Sequence, residues 1–189
     1  MRALAERGYP PYGEAFQRTG RLAEIRARFE EGREVRAAGR LLTIRRMGGS
    51  VFADLHDGSG RFQIHLGRKE LVPAAFDAAG FLDIGDHVGV EGPLFVTRMG
   101  EPTIRVRNWT LLAKALRPLP AKWHGLRDVE QRCRRRHLDL IANPEVRARF
   151  DRRIAIIRRL REFLQQRGYQ EVETPMLQVH LVEDDGVIT

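Results

Sequence analysis

The sequence predicts a mainly β protein with helical flanks: a five-stranded barrel over residues 34–114, followed by a linker and a long amphipathic helix. Three observations carry that expectation. Residues 34–114 read as short strands, cut by turn signals at Gly48-Gly49, Asp57-Gly58-Ser59-Gly60 and Arg98-Met99-Gly100-Glu101-Pro102. One helical stretch, near Lys69 to Ala79, interrupts those strands. From residue 144 the apolar residues recur every three or four positions instead of every second one.

Taken in order, residues 1–33 form an amino-terminal helical extension. Pro10-Pro11-Tyr12-Gly13 breaks any early helix, and Leu22, Ile25 and Phe29 then stand at helical spacing. The next region gives three strands, a helix and two more strands. A small barrel with a helix plugging one end, the OB-fold, has that order, and its second and third strands with two loops form the usual oligonucleotide-binding face.

Arg117-Pro118-Leu119-Pro120 ends the barrel, because proline cannot donate to a sheet ladder. Residues 115–143 are read as a linker with a short helix. Asn143 is placed to cap the next helix, Pro144 suits its first position, and Glu145 complements the positive end of its dipole. Val146, Phe150, Ile154, Ile157, Leu160 and Leu164 line one face until Gly168, with a strand expected at Tyr169 to Val172. That face needs a partner, either a second copy of the chain or a further domain.

Composition narrows the function classes. The chain has 189 residues, 42% of them hydrophobic, and no run near the roughly 18 apolar residues that a membrane helix requires. Its start is too polar for the apolar core of a secretory signal, so the cytoplasm is the expected compartment. Cys133 is the single cysteine, which excludes an internal disulfide and any multi-cysteine metal site. A net charge of +8 points to a polyanionic partner, nucleic acid first. Only Lys69, Lys114 and Lys122 of the 33 basic residues are lysines, and a GC-rich genome would produce the same arginine excess.

Strand parity selects the candidate site. In Val51-Phe52-Ala53-Asp54-Leu55-His56 the apolar set 51, 53, 55 faces inward, which puts Phe52 outside with Asp54 and His56. In Arg61-Phe62-Gln63-Ile64-His65-Leu66 the inward set is 62, 64, 66, leaving Arg61, Gln63 and His65 outside. A hairpin through residues 57–60 would bring these outer residues together. A ring beside an amide and a guanidinium suits unpaired bases, which need a surface for stacking and groups that read their edges. The alternative is that Phe52 packs against a neighbouring domain or the amino-terminal helix. His56 and His65 are read as ordinary residues of a solvated face, with no metal ligation expected. Glu101 either accepts from a base or is a solvated turn acid.

Several stretches resemble the bacterial lysyl-tRNA synthetase family of class II. They are Phe52-Ala53-Asp54-Leu55 with Gly60-Arg61-Phe62-Gln63-Ile64, Leu82-Asp83-Ile84-Gly85-Asp86-His87-Val88-Gly89-Val90-Glu91-Gly92, and the block from Lys114 to Glu130. Arg132, Arg134 and Arg136-His137-Leu138-Asp139-Leu140-Ile141-Ala142-Asn143-Pro144-Glu145 continue the likeness. The stretch from Phe163 to Leu177 is similar to class II motif 1. The Lys114 block favours lysyl enzymes over their aspartyl and asparaginyl relatives.

The resemblance implies that Phe52 stacks on the central anticodon uridine of tRNA(Lys), with Gln63 beside it. It also implies that Glu101 lies near the first anticodon base and that Arg45 serves the same loop. Arg61, His56 and His65 are supporting candidates. Motif 1 is a homodimer element, which places Ile154, Ile157 and Pro175 at the interface. The departures are Gly49 where a lysine is common, Cys133 and His137 where tyrosines are usual, and Pro102 after Glu101. Residues 144–178 would be the motif 1 helix and strand of a catalytic domain cut off before motifs 2 and 3, and 179–189 a divergent tail.

The expectation is therefore an anticodon-loop-binding module with no catalytic residues and no cofactor of its own. ATP and Mg2+ belong to the full-length family, which charges tRNA(Lys) with lysine. The alternatives are a dimerisation or interaction fragment and a non-functional remnant.

Overall fold

Val35, Ala37 and Leu41 point the same way along a 14-residue strand, Glu34–Met47 (β1), and all three are buried. The strand is long enough to serve two partners, because a bulge between Leu41 and Thr43 bends it. Residues 40–47 pair with Ser50–His56 (β2), and residues 34–40 pair with His87–Val96 (β4). The structure, a computed structural model, describes residues 2–13, 15–119 and 126–174. It divides into two compact units, Met1–Leu119 and Pro120–Thr189.

In the first unit β2 pairs antiparallel with Arg61–Gly67 (β3), and β3 pairs in parallel with Pro102–Arg105 (β5). Because β5 also pairs with β4, and β4 with β1, five strands close into a ring. Closure satisfies ladder groups that an open sheet would leave bare. This is the OB barrel that the strand order predicts.

The last strand departs from that order by breaking in two. Beyond β5 the chain shifts at Val106-Arg107 and continues as Asn108–Ala113 (β6), which pairs with β4 and not with β3, and bridges Tyr12 at Ala113. Val106 N donates to His65 O and Arg107 N to Glu91 O, so the backbone changes partner within two residues. Gly92 permits it: a Cβ there would lie 1.9 Å from the carbonyl oxygen of Arg105.

Helices close the core. Arg2–Ala5 (α1) is a single turn, and Leu22–Ala27 (α2) buries Leu22 and Ile25, two of the three residues that the helical spacing marks. The helix between β3 and β4 begins at Pro73, not at Lys69, and runs to Ala79 (α3). Proline suits the first helical position, where its missing N–H is not needed. Ala75, Phe76, Ala78 and Ala79 face the core, and the buried Trp109 Nε1 donates to Ala75 O at 3.1 Å. Lys114 Nζ, itself enclosed, lies 2.7 Å from the fully buried Asp86 carboxylate and 2.6 Å from that of Asp83.

The second unit consists of Val129–Arg134 (α4), Arg136–Ala142 (α5) and Pro144–Gln165 (α6), two short helices and a long one. Asp139 is fully buried and receives Arg132 Nε at 2.9 Å, Arg136 Nη1, and Asn143 Nδ2 at 2.6 Å. Burial opposes its charged form, but the hydrogen bonds from Asn143 and Arg132 outweigh that, so its carboxyl titrates below the usual carboxylate range.

Two expectations for this region need correction. Asn143 does stand at the amino-terminal cap of α6, but its side chain does not cap; the amide is drawn away to Asp139 and to Leu126 O. No strand forms at Tyr169 to Val172, because a strand requires a neighbour for its N–H and C=O groups and none pairs there among the described residues.

Candidate nucleic-acid interface

Register turns the outward residues into rows across the barrel wall. Arg45, Phe52, His65 and Arg105 are successive cross-strand partners on β1, β2, β3 and β5. The next row runs Thr43, Asp54, Gln63, Thr103 and Phe95, ending on β4. The third contains His56 opposite Arg61. The inward residues between them, Leu55, Phe62, Ile64 and Ile104, are completely buried, so the parity expected for β2 and β3 holds.

Phe52 is thus half-buried on the outer wall, with its ring 4.6 Å from the His65 ring and its strand neighbour Arg45 exposed. Gln63 is diagonal to Phe52, a relation that sheet geometry sets at about 7–8 Å. Its carbonyl oxygen accepts from Thr103 Oγ1 at 2.9 Å, which fixes the amide plane and presents the NH2 group as donor. Thr103 Oγ1 also lies 3.0 Å from Glu101 O, so one hydroxyl links the amide to the β4–β5 turn.

Glu101 sits in that turn, where its N–H donates to Thr97 Oγ1. Its carboxylate accepts from Arg26 Nη2 at 3.1 Å and lies 3.7 Å from Arg61 Nη2. Arg61 reaches in addition to Asp54, at 3.7 Å. A carboxylate held between two guanidiniums retains lone pairs for a ligand while repelling a phosphate chain less.

The structure changes two readings of this face. Asp54 lies on the outer side, as parity requires, yet is only 6% exposed, being covered by Arg61 and by Thr43, whose hydroxyl donates to it. His65 is not a solvated residue: it is half-buried, its Nε2 is 3.1 Å from Ser50 Oγ, and its Nδ1 is enclosed without a partner. Burial pushes its imidazole below the ordinary 6.5; Glu70 opposes that shift and Arg105 adds to it. His56 is half-exposed opposite Arg61.

Arg26, Thr103, Phe95 and Arg105 belong to the same wall although sequence reasoning did not select them. Parity along the fourth strand was a usable signal for Phe95, since Leu94 before it is buried. Nothing local marks Arg26, which lies 75 residues from its partner.

In the helical unit, Ile154 is 61% exposed and Ile157 is 38%, with Leu160, Phe163 and Leu164 also open. Val146 alone on α6 is buried. Pro175, the third residue expected at an interface, lies outside the described residues, as does the tail 179–189.

Comparison with known proteins agrees with this geometry. Residues 35–112 match the anticodon-binding family described as OB-fold nucleic acid binding domain, and residues 128–186 match the class II tRNA synthetases for D, K and N. The lysine-tRNA ligase of Pelotomaculum thermopropionicum is 48% identical over 178 residues, covering 93% of this chain and 35% of the relative. That of Moorella thermoacetica is 50% identical over 179 residues, covering 94% and 37%. That of Carboxydothermus hydrogenoformans is 47% identical over 176 residues, covering 92% and 36%. The chain therefore spans about a third of the length of these curated relatives. With an anticodon-type OB barrel followed by the start of a class II synthetase region, the chain is similar over nearly all of its length to about one third of the lysine-tRNA ligases.

Proposed function

We propose that the barrel wall around Phe52 binds the anticodon loop of tRNA(Lys). The observation that carries this reading is the arrangement of Phe52, Gln63 and Glu101 on one outward surface, with the Gln63 amide fixed by Thr103. A half-exposed ring offers a stacking surface. The Gln63 NH2 donates to a uracil carbonyl, and Glu101 accepts from a uracil N3–H, so base edges are read by groups already in position. Arg45 and Arg61 supply cations for the phosphates, with His56 and His65 completing the surface.

The test is binding of an anticodon stem-loop carrying UUU against one with a scrambled loop, at fixed salt. Tighter binding of the UUU hairpin is expected; equal affinities would remove specific reading.

As part of a complete synthetase, the activity we propose is ATP-dependent attachment of lysine to tRNA(Lys), the reaction named for the relatives. ATP and Mg2+ serve that reaction in the family. Among the described residues no group of three or more His, Cys, Asp or Glu is placed to hold a metal ion. The proposed compartment is the cytoplasm; no helix among the described residues is long and apolar enough to cross a membrane. The exposed stripe at Ile154 and Ile157 supports a second proposal, that α6 joins two copies of the chain. Sedimentation showing a monomer at every concentration would reject it.

A further inference from the structure

We infer that Arg105, seated on Phe95, forms a second stacking subsite for an unpaired nucleobase beside the one that Phe52 provides. The inference rests on the anticodon-loop reading and extends it to residues without an assigned role.

Phe95 occupies an outward position on β4, and the guanidinium carbon of Arg105 lies 4.5 Å from its ring centroid. The His65 ring is 6.1 Å from Phe95 and 4.6 Å from Phe52, so flat groups continue without a gap from one proposed platform to the other. Register places Arg105 two strands from Phe52, or about 10 Å at normal strand spacing. That distance suits neighbouring nucleotides of one single strand rather than a single base touching both.

Charge pairing separates Arg105 from the arginines around it. Arg107, two residues on, lies 2.7 Å from Glu34, and Arg26, Arg36 and Arg61 each have a carboxylate partner. Arg105 is ion-paired with no carboxylate among the described residues and is exposed. A guanidinium held against a ring on one side and open on the other is a stacking surface, and its charge adds a cation–π contribution to the contact.

An open cavity of about 270 Å³ adjoins this pair, with Phe95, Arg105, Arg107, Glu31 and Glu34 in its lining. Glu34 is held by Arg107, and the carboxylates of the lining are acceptors for an N–H of a base. The open face of Arg105 is therefore the surface on which a base stacks.

The experiment measures binding of the full chain to the UUU anticodon stem-loop and to a set of hairpins, each with one abasic loop position, over a range of salt. The variants are Arg105→Lys, Arg105→Ala, Phe95→Leu and Phe52→Ala, with circular dichroism melting to verify folding. Arg105→Lys keeps the charge and loses the plane. It is expected to weaken binding about five- to tenfold without altering the salt slope, and Phe95→Leu to do the same. The loss should vanish for a hairpin abasic at one particular position, different from the position at which the Phe52→Ala loss vanishes.

Wild-type affinity in Arg105→Lys would make Arg105 a phosphate contact and overturn the proposal, as would an equal loss against every abasic hairpin. If Phe52→Ala still discriminates by loop position in those cases, the anticodon reading survives and the second subsite alone fails. Absence of any loop discrimination by the wild type overturns both.

Discussion

Arg26 on α2 donates through Nη2 to Glu101 Oε1 at 3.1 Å, so the helix that precedes the barrel holds the turn proposed to read a base. Arg26 is also stationed over the Phe62 ring, with its guanidinium carbon 5.3 Å from the centroid, although Phe62 is a fully buried core residue. Packing therefore orients the cation, and the cation orients the acid. Both partners are partly exposed, so Arg26→Ala is expected to change stability by less than about 1 kcal/mol. Its consequence should lie in selectivity: a smaller ratio of UUU to scrambled-loop affinity, measured by anisotropy titration. A ratio equal to wild type would show that Glu101 needs no such support.

Phe52→Ala tests the stacking surface itself. The ring lies outside the core, so the melting temperature should remain close to wild type, while stem-loop binding weakens by about 1–3 kcal/mol. Unchanged affinity would show that the ring has another purpose.

The Lys114–Asp86 pair is a stability test for the first unit. Asp86 also accepts from Asp83 N and Ala115 N, so it binds together the chain before β4 and the chain after β6. Asp86→Ala leaves the enclosed ammonium without that carboxylate and is expected to destabilise the unit by about 3–5 kcal/mol in urea unfolding. A loss below about 1 kcal/mol would place the ion pair outside the set of interactions that hold the barrel closed.

Two imidazoles set the pH dependence. Burial lowers the His65 and His87 pKa values below 6.5, with Arg105 adding to the first shift and Arg40 to the second, against opposition from Glu70 and Asp86. A histidine whose folded value is depressed binds fewer protons than the unfolded chain does. Its contribution is present above pH about 6.5 and is lost as pH falls below it. Melting temperature should fall between pH 7 and 5, and the double variant His65→Gln, His87→Gln should flatten that slope. Asp57 adds a separate loss at lower pH. Burial disfavours its charge, but hydrogen bonds from the Ser59 hydroxyl and from the N–H groups of Leu22, Ser59 and Gly60 outweigh that and keep its pKa below the ordinary 3.8.

Much of this arrangement was open to reading from the chain alone. Period-two alternation at residues 51–56 and 61–66 places Phe52, Gln63, His65 and Arg61 on the outer side, because a strand sends successive side chains to opposite faces whatever it pairs with. The hairpin turn at Asp57-Gly58-Ser59-Gly60 likewise follows from local chemistry, with one carboxylate oxygen accepting from Ser59 N, Ser59 Oγ and Gly60 N.

Tertiary structure alone decided the rest. Thr103 meets Gln63 because β5 lies parallel to β3 across the closing seam of the barrel, and Arg26 meets Glu101 across 75 residues of chain. The break between β5 and β6 belongs to that same closure, since β5 pairs with both β3 and β4 whereas β6 pairs with β4 and not with β3. Sequence periodicity reports what a residue's immediate neighbours require, whereas the register of distant strands is selected by how all five close into one ring.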